Sequence, residues 1–293
     1  MKTKLFTGAA TALVTPFYES GEINFDCLRD LIEFQIQNGI SALVIAGTTG
    51  EASTLSFEEF SLLIAKSNEY IRHRVPLIAG TGSNNTATAL KLSLEAEKRG
   101  ANGLLIVTPY YNKTTQEGLR KHYLKIASCV KTPIILYNVP SRTGVKISPE
   151  TCRRLEEHPN IIGIKEASGE IGYTIDIASQ APKLTIYSGN DDQILPILSL
   201  GGEGIISVAS NIVPRNVQAI CKHFQNGEIQ KAIDLQLQLI PLIRTLFSQV
   251  NPIPIKRAVE MIGFPVGVPR LPLVPCDSKT EDAIARAIKE ATI

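Results

Sequence analysis

Short runs rich in Val, Ile, Leu and Ala alternate along the chain with longer stretches whose apolar residues recur every three to four positions. The short runs fall at 11–17, 42–47, 76–81, 103–108, 133–138, 161–167, 184–188 and 204–209, and each reads as a strand apolar enough to be buried on both faces. The longer ones, at 25–37, 57–71, 86–99, 116–130, 149–156, 173–180, 193–200 and 214–224, read as amphipathic helices. Local signals agree with these bounds. Ser56 followed by Glu59 is a capping-box signature, Ser148-Pro149 places proline in a first helical turn, and Gly39 and Gly100 stand just past helix ends. Strand and helix alternate in eight units, which predicts a parallel sheet, and with right-handed crossovers such units close into an α/β, (β/α)8 TIM barrel.

The alternation runs out near residue 225. Segments at 228–250, 254–262 and 279–290 are helical in pattern, the last two separated by a proline-rich stretch at 265–275. Pro241 is expected to kink or split the first of them, because it lacks an N–H and its ring clashes with the preceding turn. The expected organisation is a TIM-barrel catalytic domain over 1–224 and a C-terminal helical extension over 225–293 packed on the barrel, not an independent domain.

Composition acts mainly by exclusion. The 293 residues are 44% hydrophobic and 20% charged, the balance of a soluble globular enzyme with ample core. A formal charge of +2, with lysines and arginines scattered, gives no nucleic-acid surface. Cysteines at 27, 129, 152, 221 and 276 form no CxxC and read as reduced thiols of a cytosolic protein. Histidines at 73, 122, 158 and 223 lack zinc-ligand spacing, so no metal is expected. Met1-Lys2-Thr3-Lys4 before an apolar stretch looks like a signal peptide, but its removal would delete the first strand. The apolar window 194–213 is broken by Pro196 and by Gly201-Gly202-Glu203-Gly204, so no membrane span is expected and the cytoplasm is the expected compartment.

The candidate chemistry centres on Lys165, near the end of the sixth strand, Ile161-Ile162-Gly163-Ile164-Lys165. Burial disfavours an ammonium ion, so a lysine held in such a strand can present a free amine, which attacks carbonyl carbons. The competing reading is a lysine that snorkels to solvent and pairs with Glu166. Barrel enzymes draw catalytic groups from the C-terminal ends of strands. There the chain places Gly47-Thr48-Thr49-Gly50-Glu51, Thr108-Pro109-Tyr110-Tyr111-Asn112, Tyr137-Asn138-Val139-Pro140-Ser141-Arg142-Thr143-Gly144 and Ser188-Gly189-Asn190-Asp191. Strict alternation puts Lys165 on one face with Ile161 and Gly163, the glycine leaving room beneath it, and Tyr137 on one face with Ile135. Taken singly, Thr48-Thr49 reads equally as a helix-capping loop, Tyr110-Tyr111 as core or interface aromatics, and Arg142 as a solvated loop residue. Their convergence at one barrel mouth favours function. Gly80-Thr81-Gly82-Ser83 lacks the third glycine of a dinucleotide loop.

Together, Gly47-Thr48-Thr49-Gly50-Glu51, the Tyr137–Gly144 stretch and Gly163-Ile164-Lys165-Glu166-Ala167 resemble the motifs of the dihydrodipicolinate synthase family of pyruvate-dependent class I aldolases, over in effect the whole chain. The resemblance implies that Lys165 forms a covalent imine with pyruvate and that the derived enamine adds to L-aspartate 4-semialdehyde, without a dissociable cofactor. It implies a proton relay of Tyr137, Thr48 and Tyr111, the last reaching into a neighbouring subunit's site. It further implies that Thr49 holds the pyruvate carboxylate, that Arg142 holds the semialdehyde carboxylate, and that Gly189 and Ile206 line the pyruvate end. A homo-oligomer, a tetramer built as a dimer of dimers, is the implied assembly. N-acetylneuraminate lyases and 2-keto-3-deoxy sugar acid aldolases or dehydratases share the fold and lysine, but differ at Thr48-Thr49 or in the loop carrying Arg142. In lysine-inhibited members a glutamate and histidines build a regulatory cleft. Here Thr88 stands at the glutamate position and Phe57 and Phe60 at the histidine positions, so weak or absent lysine feedback is expected.

Overall fold

The computed structural model describes residues 4–291; the first three residues of the basic opening lie outside the described residues. Eight parallel strands close into a barrel in chain order: β1 (Gly8–Ala12), β2 (Ala42–Ile45), β3 (Leu77–Gly80), β4 (Gly103–Val107), β5 (Ile134–Asn138), β6 (Ile161–Glu166), β7 (Thr185–Ser188) and β8 (Gly204–Ser207). Helices α1 (Phe25–Gln37), α2 (Phe57–Ile71), α3 (Thr86–Lys98), α4 (Gln116–Ala127), α5 (Pro140–Thr143), α6 (Pro149–Leu155), α7 (Ile171–Gln180), α8 (Ile194–Ser199) and α9 (Pro214–Gln225) follow their strands. Three more complete the chain: α10 (Ile229–Leu246), α11 (Ile253–Met261) and α12 (Ser278–Ala291). Ser56 accepts from the Glu59 amide while the Glu59 carboxylate accepts from the Ser56 amide, so the capping box opens α2 as its sequence implies.

Two expectations are corrected. The first strand is Gly8–Ala12 and not 11–17. Its small residues make a weak strand signal, but they suit the seam where the barrel closes. A Cβ on Gly204 would fall 1.8 Å from the Gly8 carbonyl oxygen, so only glycine allows the two backbones to meet there. Beyond Leu13 the chain leaves the sheet, and Pro16 has no N–H with which to continue it. The second correction concerns the split expected at Pro241: α10 runs unbroken from Ile229 to Leu246 with the proline inside it. Pro241 and Leu237, whose carbonyl loses its helical donor, both lie on the exposed side, where a missing intrahelical bond costs least.

Apolar side chains form two layers. The larger lies between the sheet and the helices, and a smaller one fills the barrel, with Ala12, Val44, Leu105, Ile135 and Ile206 among its members. The β5–β6 register slips near the bottom: Ile134 pairs with Ile161, but Ile135 pairs with Gly163. Ile162 is therefore an extra residue and points inward, while Ile161 belongs to the outer layer. Strict alternation fails here, and Lys165 shares its face with Gly163 but not with Ile161. Gly163 is also required for a reason other than room under the lysine: a Cβ there would sit 2.7 Å from the Thr185 carbonyl oxygen of β7.

Candidate active site

The C-terminal mouth of the barrel holds a cavity of about 160 Å3 walled by the ends of β2, β5, β6 and β7. Lys165 lies in it and is 5% exposed. Its in-register neighbours are Tyr137 on β5 and Tyr187 on β7, and its Nζ stands 4.4 Å from the centroid of the Tyr137 ring. The snorkelling alternative fails on geometry. Glu166 faces the other side of the strand, where it accepts from Asn138 Nδ2 at 2.7 Å and from the Ser168 amide at 2.5 Å. Among the described residues the buried lysine with a carboxylate partner is Lys256, on Glu51, and not Lys165.

The two tyrosines beside Lys165 are not equivalent. Tyr187 turns its hydroxyl down the barrel, donating to the Phe6 carbonyl at 2.9 Å, and burial pushes that phenol well above its ordinary value. Tyr137 lines the cavity with the lysine. Gly189, at the end of β7, makes room for the lysine stem. A Cβ there would meet Ala167 Cβ at 2.6 Å and Lys165 Cε at 3.0 Å.

Thr48 and Thr49 stand on a loop held in an unusual conformation. Ala46 before them and Glu51 after them both adopt left-handed backbone angles, φ 54° and 56°, which cost energy for residues with a Cβ. The loop is pinned from outside the barrel. The buried Glu51 carboxylate accepts from Lys256 Nζ at 2.8 Å and from the Arg270 amide at 2.8 Å. Burial lowers the Lys256 pKa despite the Glu51 charge beside it. The Arg270 guanidinium pairs with Glu59 and also takes the Thr54 carbonyl at 2.8 Å. Arg142, on the short helix α5, reaches the same rim and donates to the Asn251 carbonyl at 3.2 Å.

Seven of the residues singled out in the sequence are thus placed with unequal outcomes. Lys165, Tyr137, Thr48, Thr49, Arg142 and Gly189 wall one cavity. Ile206 is fully buried in the inner core, and the neighbouring Val208 takes the cavity wall in its place. An eighth, Tyr111, is 92% exposed with φ 68°, and this chain alone does not bring it to the cavity. Residues the sequence did not signal are Phe247 and Asn251, which come to the cavity from the C-terminal extension. An Asn-Pro pair after a helix marks a loop, but nothing in it tells which way the asparagine faces.

Asp191 stands just past the end of β7, behind the cavity wall. Fully buried, it accepts from the Ser207 hydroxyl and from the amides of Val208 at 3.0 Å and Ala209 at 3.3 Å, which joins the ends of β7 and β8. Burial raises its carboxyl above the usual range. A larger cavity of about 600 Å3 lies on the far side of Thr48 and Tyr137, with Phe57, Phe60, Thr88 and Lys91 in its wall. Lys165 does not line it, so the smaller cavity is the candidate for chemistry.

A closed parallel barrel with a buried lysine in its mouth, a phenol beside it and an arginine on the rim defines a barrel enzyme of the class I aldolase kind. Residues 5–291 match the model of the dihydrodipicolinate synthetase family. A 4-hydroxy-tetrahydrodipicolinate synthase of Caldicellulosiruptor bescii is 49% identical over 284 residues, covering 97% of this chain and 96% of that relative. Two solved structures superpose closely. A chloride-inhibited dihydrodipicolinate synthase from Acinetobacter baumannii, complexed with pyruvate, has a TM-score of 0.95 at 41% identity, covering 98% of this chain and 99% of that one. A monomeric dihydrodipicolinate synthase variant has a TM-score of 0.96 at 41% identity, covering 98% and 97%. The chain belongs to the dihydrodipicolinate synthetase family and is a lyase of the aldolase type.

Proposed function

We propose that the protein is a 4-hydroxy-tetrahydrodipicolinate synthase, condensing pyruvate with L-aspartate 4-semialdehyde on the diaminopimelate route to lysine. The observation that carries this reading is the buried Lys165, which makes no salt bridge among the described residues, flanked by Tyr137 and facing a rim that holds Arg142. The Lys165 amine adds to the keto carbon of pyruvate, and loss of water leaves an imine. The protonated imine withdraws electrons, so a methyl proton leaves and an enamine forms. The enamine carbon adds to the aldehyde carbon of the second substrate, whose oxygen takes up a proton. The amino group of that substrate then attacks the imine carbon, closes the ring and releases Lys165.

Tyr137 and Thr48 share the cavity with the lysine and are suited to move these protons, with Tyr111 of a neighbouring subunit as the third member of the relay. A phenol needs hydrogen-bonded company to serve as acid and base near neutral pH. Thr49 supplies the pyruvate carboxylate with a hydroxyl, and Arg142 offers the semialdehyde carboxylate a planar pair of donors. Gly189 admits the pyruvate end, and Ile206 supports it from below. The need for Tyr111 favours a homo-oligomer, a dimer of dimers. No helix among the described residues is long and apolar enough to cross a membrane, which fits a cytoplasmic enzyme. The barrel at 1–224 and the extension at 225–293 act as one unit, since Phe247 and Asn251 complete the cavity wall.

The test is borohydride reduction with pyruvate, followed by intact mass and peptide mapping, and then turnover of aspartate semialdehyde by unreduced enzyme. A pyruvyl adduct on Lys165 with semialdehyde consumption that needs Arg142 is the expected result. An adduct without semialdehyde turnover would reassign the chain to N-acetylneuraminate or keto-deoxy sugar acid cleavage, and no adduct would overturn the imine.

A further inference from the structure

Asn251 lies between α10 and α11, is 5% exposed, and lines the cavity that contains Lys165. Its carboxamide Nδ2 donates to Thr49 Oγ1 at 3.0 Å, and its main-chain carbonyl accepts from Arg142 Nη2 at 3.2 Å. One residue of the extension therefore touches both groups assigned to substrate carboxylates. Its Oδ1 is buried and has no protein partner among the described residues. A buried carbonyl left without a donor is costly, of order 1–3 kcal/mol.

The cavity wall explains that oxygen. Its charged members are Lys165 and Arg142, and it contains no carboxylate, so its complement is an anion. An amide turned by half a rotation exchanges its carbonyl and amino ends at nearly the same shape. In the turned orientation the Thr49 hydroxyl donates to Oδ1, and the NH2 group occupies the unpartnered position as a donor. An anion arriving beside Arg142 selects that orientation, because it satisfies every polar atom of the pair.

We propose that Asn251 is a substrate-binding residue whose carboxamide donates to the carboxylate of the second substrate, beside Arg142. The second substrate is favoured over pyruvate by position. Asn251 holds Arg142 through its own backbone and sits with the half-exposed Phe247 on the mouth side, where a reactant must lie to meet an adduct already on Lys165. This inference rests on the reading given under the proposed function.

The experiment compares Asn251→Asp and Asn251→Ala with wild type, using the full chain. The aspartate keeps the size and an acceptor for Thr49 but replaces the donor with a repelling oxygen. The alanine removes both, while the backbone bond to Arg142 survives in each. KM for aspartate semialdehyde is expected to rise about tenfold or more in the alanine variant and further in the aspartate variant. The rate of borohydride-trapped pyruvyl adduct and the KM for pyruvate should stay within about twofold of wild type. If Asn251→Ala does not fold, the aspartate variant decides alone. Wild-type turnover with an unchanged semialdehyde KM in the variants overturns the role of Asn251. A parallel rise in the pyruvate KM also overturns it, assigning the residue to positioning Thr49 instead. A wild-type enzyme that forms no adduct or leaves the semialdehyde unconsumed overturns the underlying reading, and this inference with it.

Discussion

Asn138 donates to Glu166 at 2.7 Å on the outer face of the barrel, directly behind the Tyr137–Lys165 pair on the inner face. Each residue of the outer pair follows its inner partner in sequence, so the bond fixes the relative height of the two strand ends that carry the phenol and the amine. Asn138 is further tied through its Oδ1, which accepts from the Ile147 amide at 3.0 Å. Replacing Asn138 by alanine strips a donor from a buried carboxylate, at a cost of about 2 kcal/mol. The tops of β5 and β6 are then free to shift, and kcat is expected to fall about tenfold with the pyruvyl adduct still formed. Denaturant melts and steady-state kinetics check the two halves; an unchanged kcat in a destabilised variant would leave the bond structural only.

Lys256 and Glu51 form an ion pair whose side chains are 2% and 1% exposed. Lys256→Met leaves the Glu51 charge buried with only the Arg270 amide, so unfolding free energy should drop by about 3–5 kcal/mol. Neutralising both partners, Lys256→Met with Glu51→Gln, should recover most of that loss, because the uncompensated charge is gone. Urea denaturation of the two single variants and the double variant measures the coupling. Equal losses in the Lys256 single and the double variant would contradict it.

His122 is buried, with Nδ1 2.9 Å from the Thr86 hydroxyl, and burial holds its pKa down at about 4 against an ordinary 6.5. Below pH 6.5 the unfolded chain binds a proton that the native state refuses. Stability from this group is thus complete above the unfolded value and is lost as pH falls from 6.5 toward about 4. The loss over that window is about 2–3 kcal/mol. His122→Gln should show a smaller loss over the same range than wild type, measured by thermal or denaturant unfolding at each pH.

The larger cavity beside Thr48 and Tyr137 has Phe57, Phe60, Thr88 and Lys91 in its wall and no carboxylate. Lys91 Nζ already stands 3.7 Å from the Phe57 ring centroid, a favourable seat for a cation. Free lysine would bring a second ammonium there without a charge partner. An inhibition curve in L-lysine is expected to show no sub-millimolar midpoint, and a midpoint in that range would refute the assignment of this cleft.

The architecture was legible because the barrel repeats one simple rule. A parallel strand buried on both faces and an amphipathic helix write different periods into the sequence, and α1 and α2 have the predicted bounds for that reason. The rule failed where backbone contact decided the outcome. Gly8–Ala12 carries too little hydrophobic signal to read as a strand, and the extra Ile162 reverses the inward phase below Lys165 without any mark in composition. Short α5 was missed, since Pro140-Ser141-Arg142-Thr143 has no room for a periodic pattern. In the site, residues next to strand ends could be collected from position alone. Asn251 could not, because its approach to Thr49 depends on how the extension folds back across the barrel.

That fold-back spans most of the chain. The contact from Asn251 to Thr49 joins residues 202 positions apart, and the one from Arg270 to Glu51 joins residues 219 apart. Chains emerge from the ribosome N-terminus first. The loop bearing Thr48 and Thr49 therefore waits through nearly all of synthesis for its anchors, and the mouth is finished only when almost the whole polypeptide has been made. A truncated product lacking the segment from Asn251 onward carries every residue of the Lys165–Tyr137 pair and its neighbours, yet not the parts that hold them in working order.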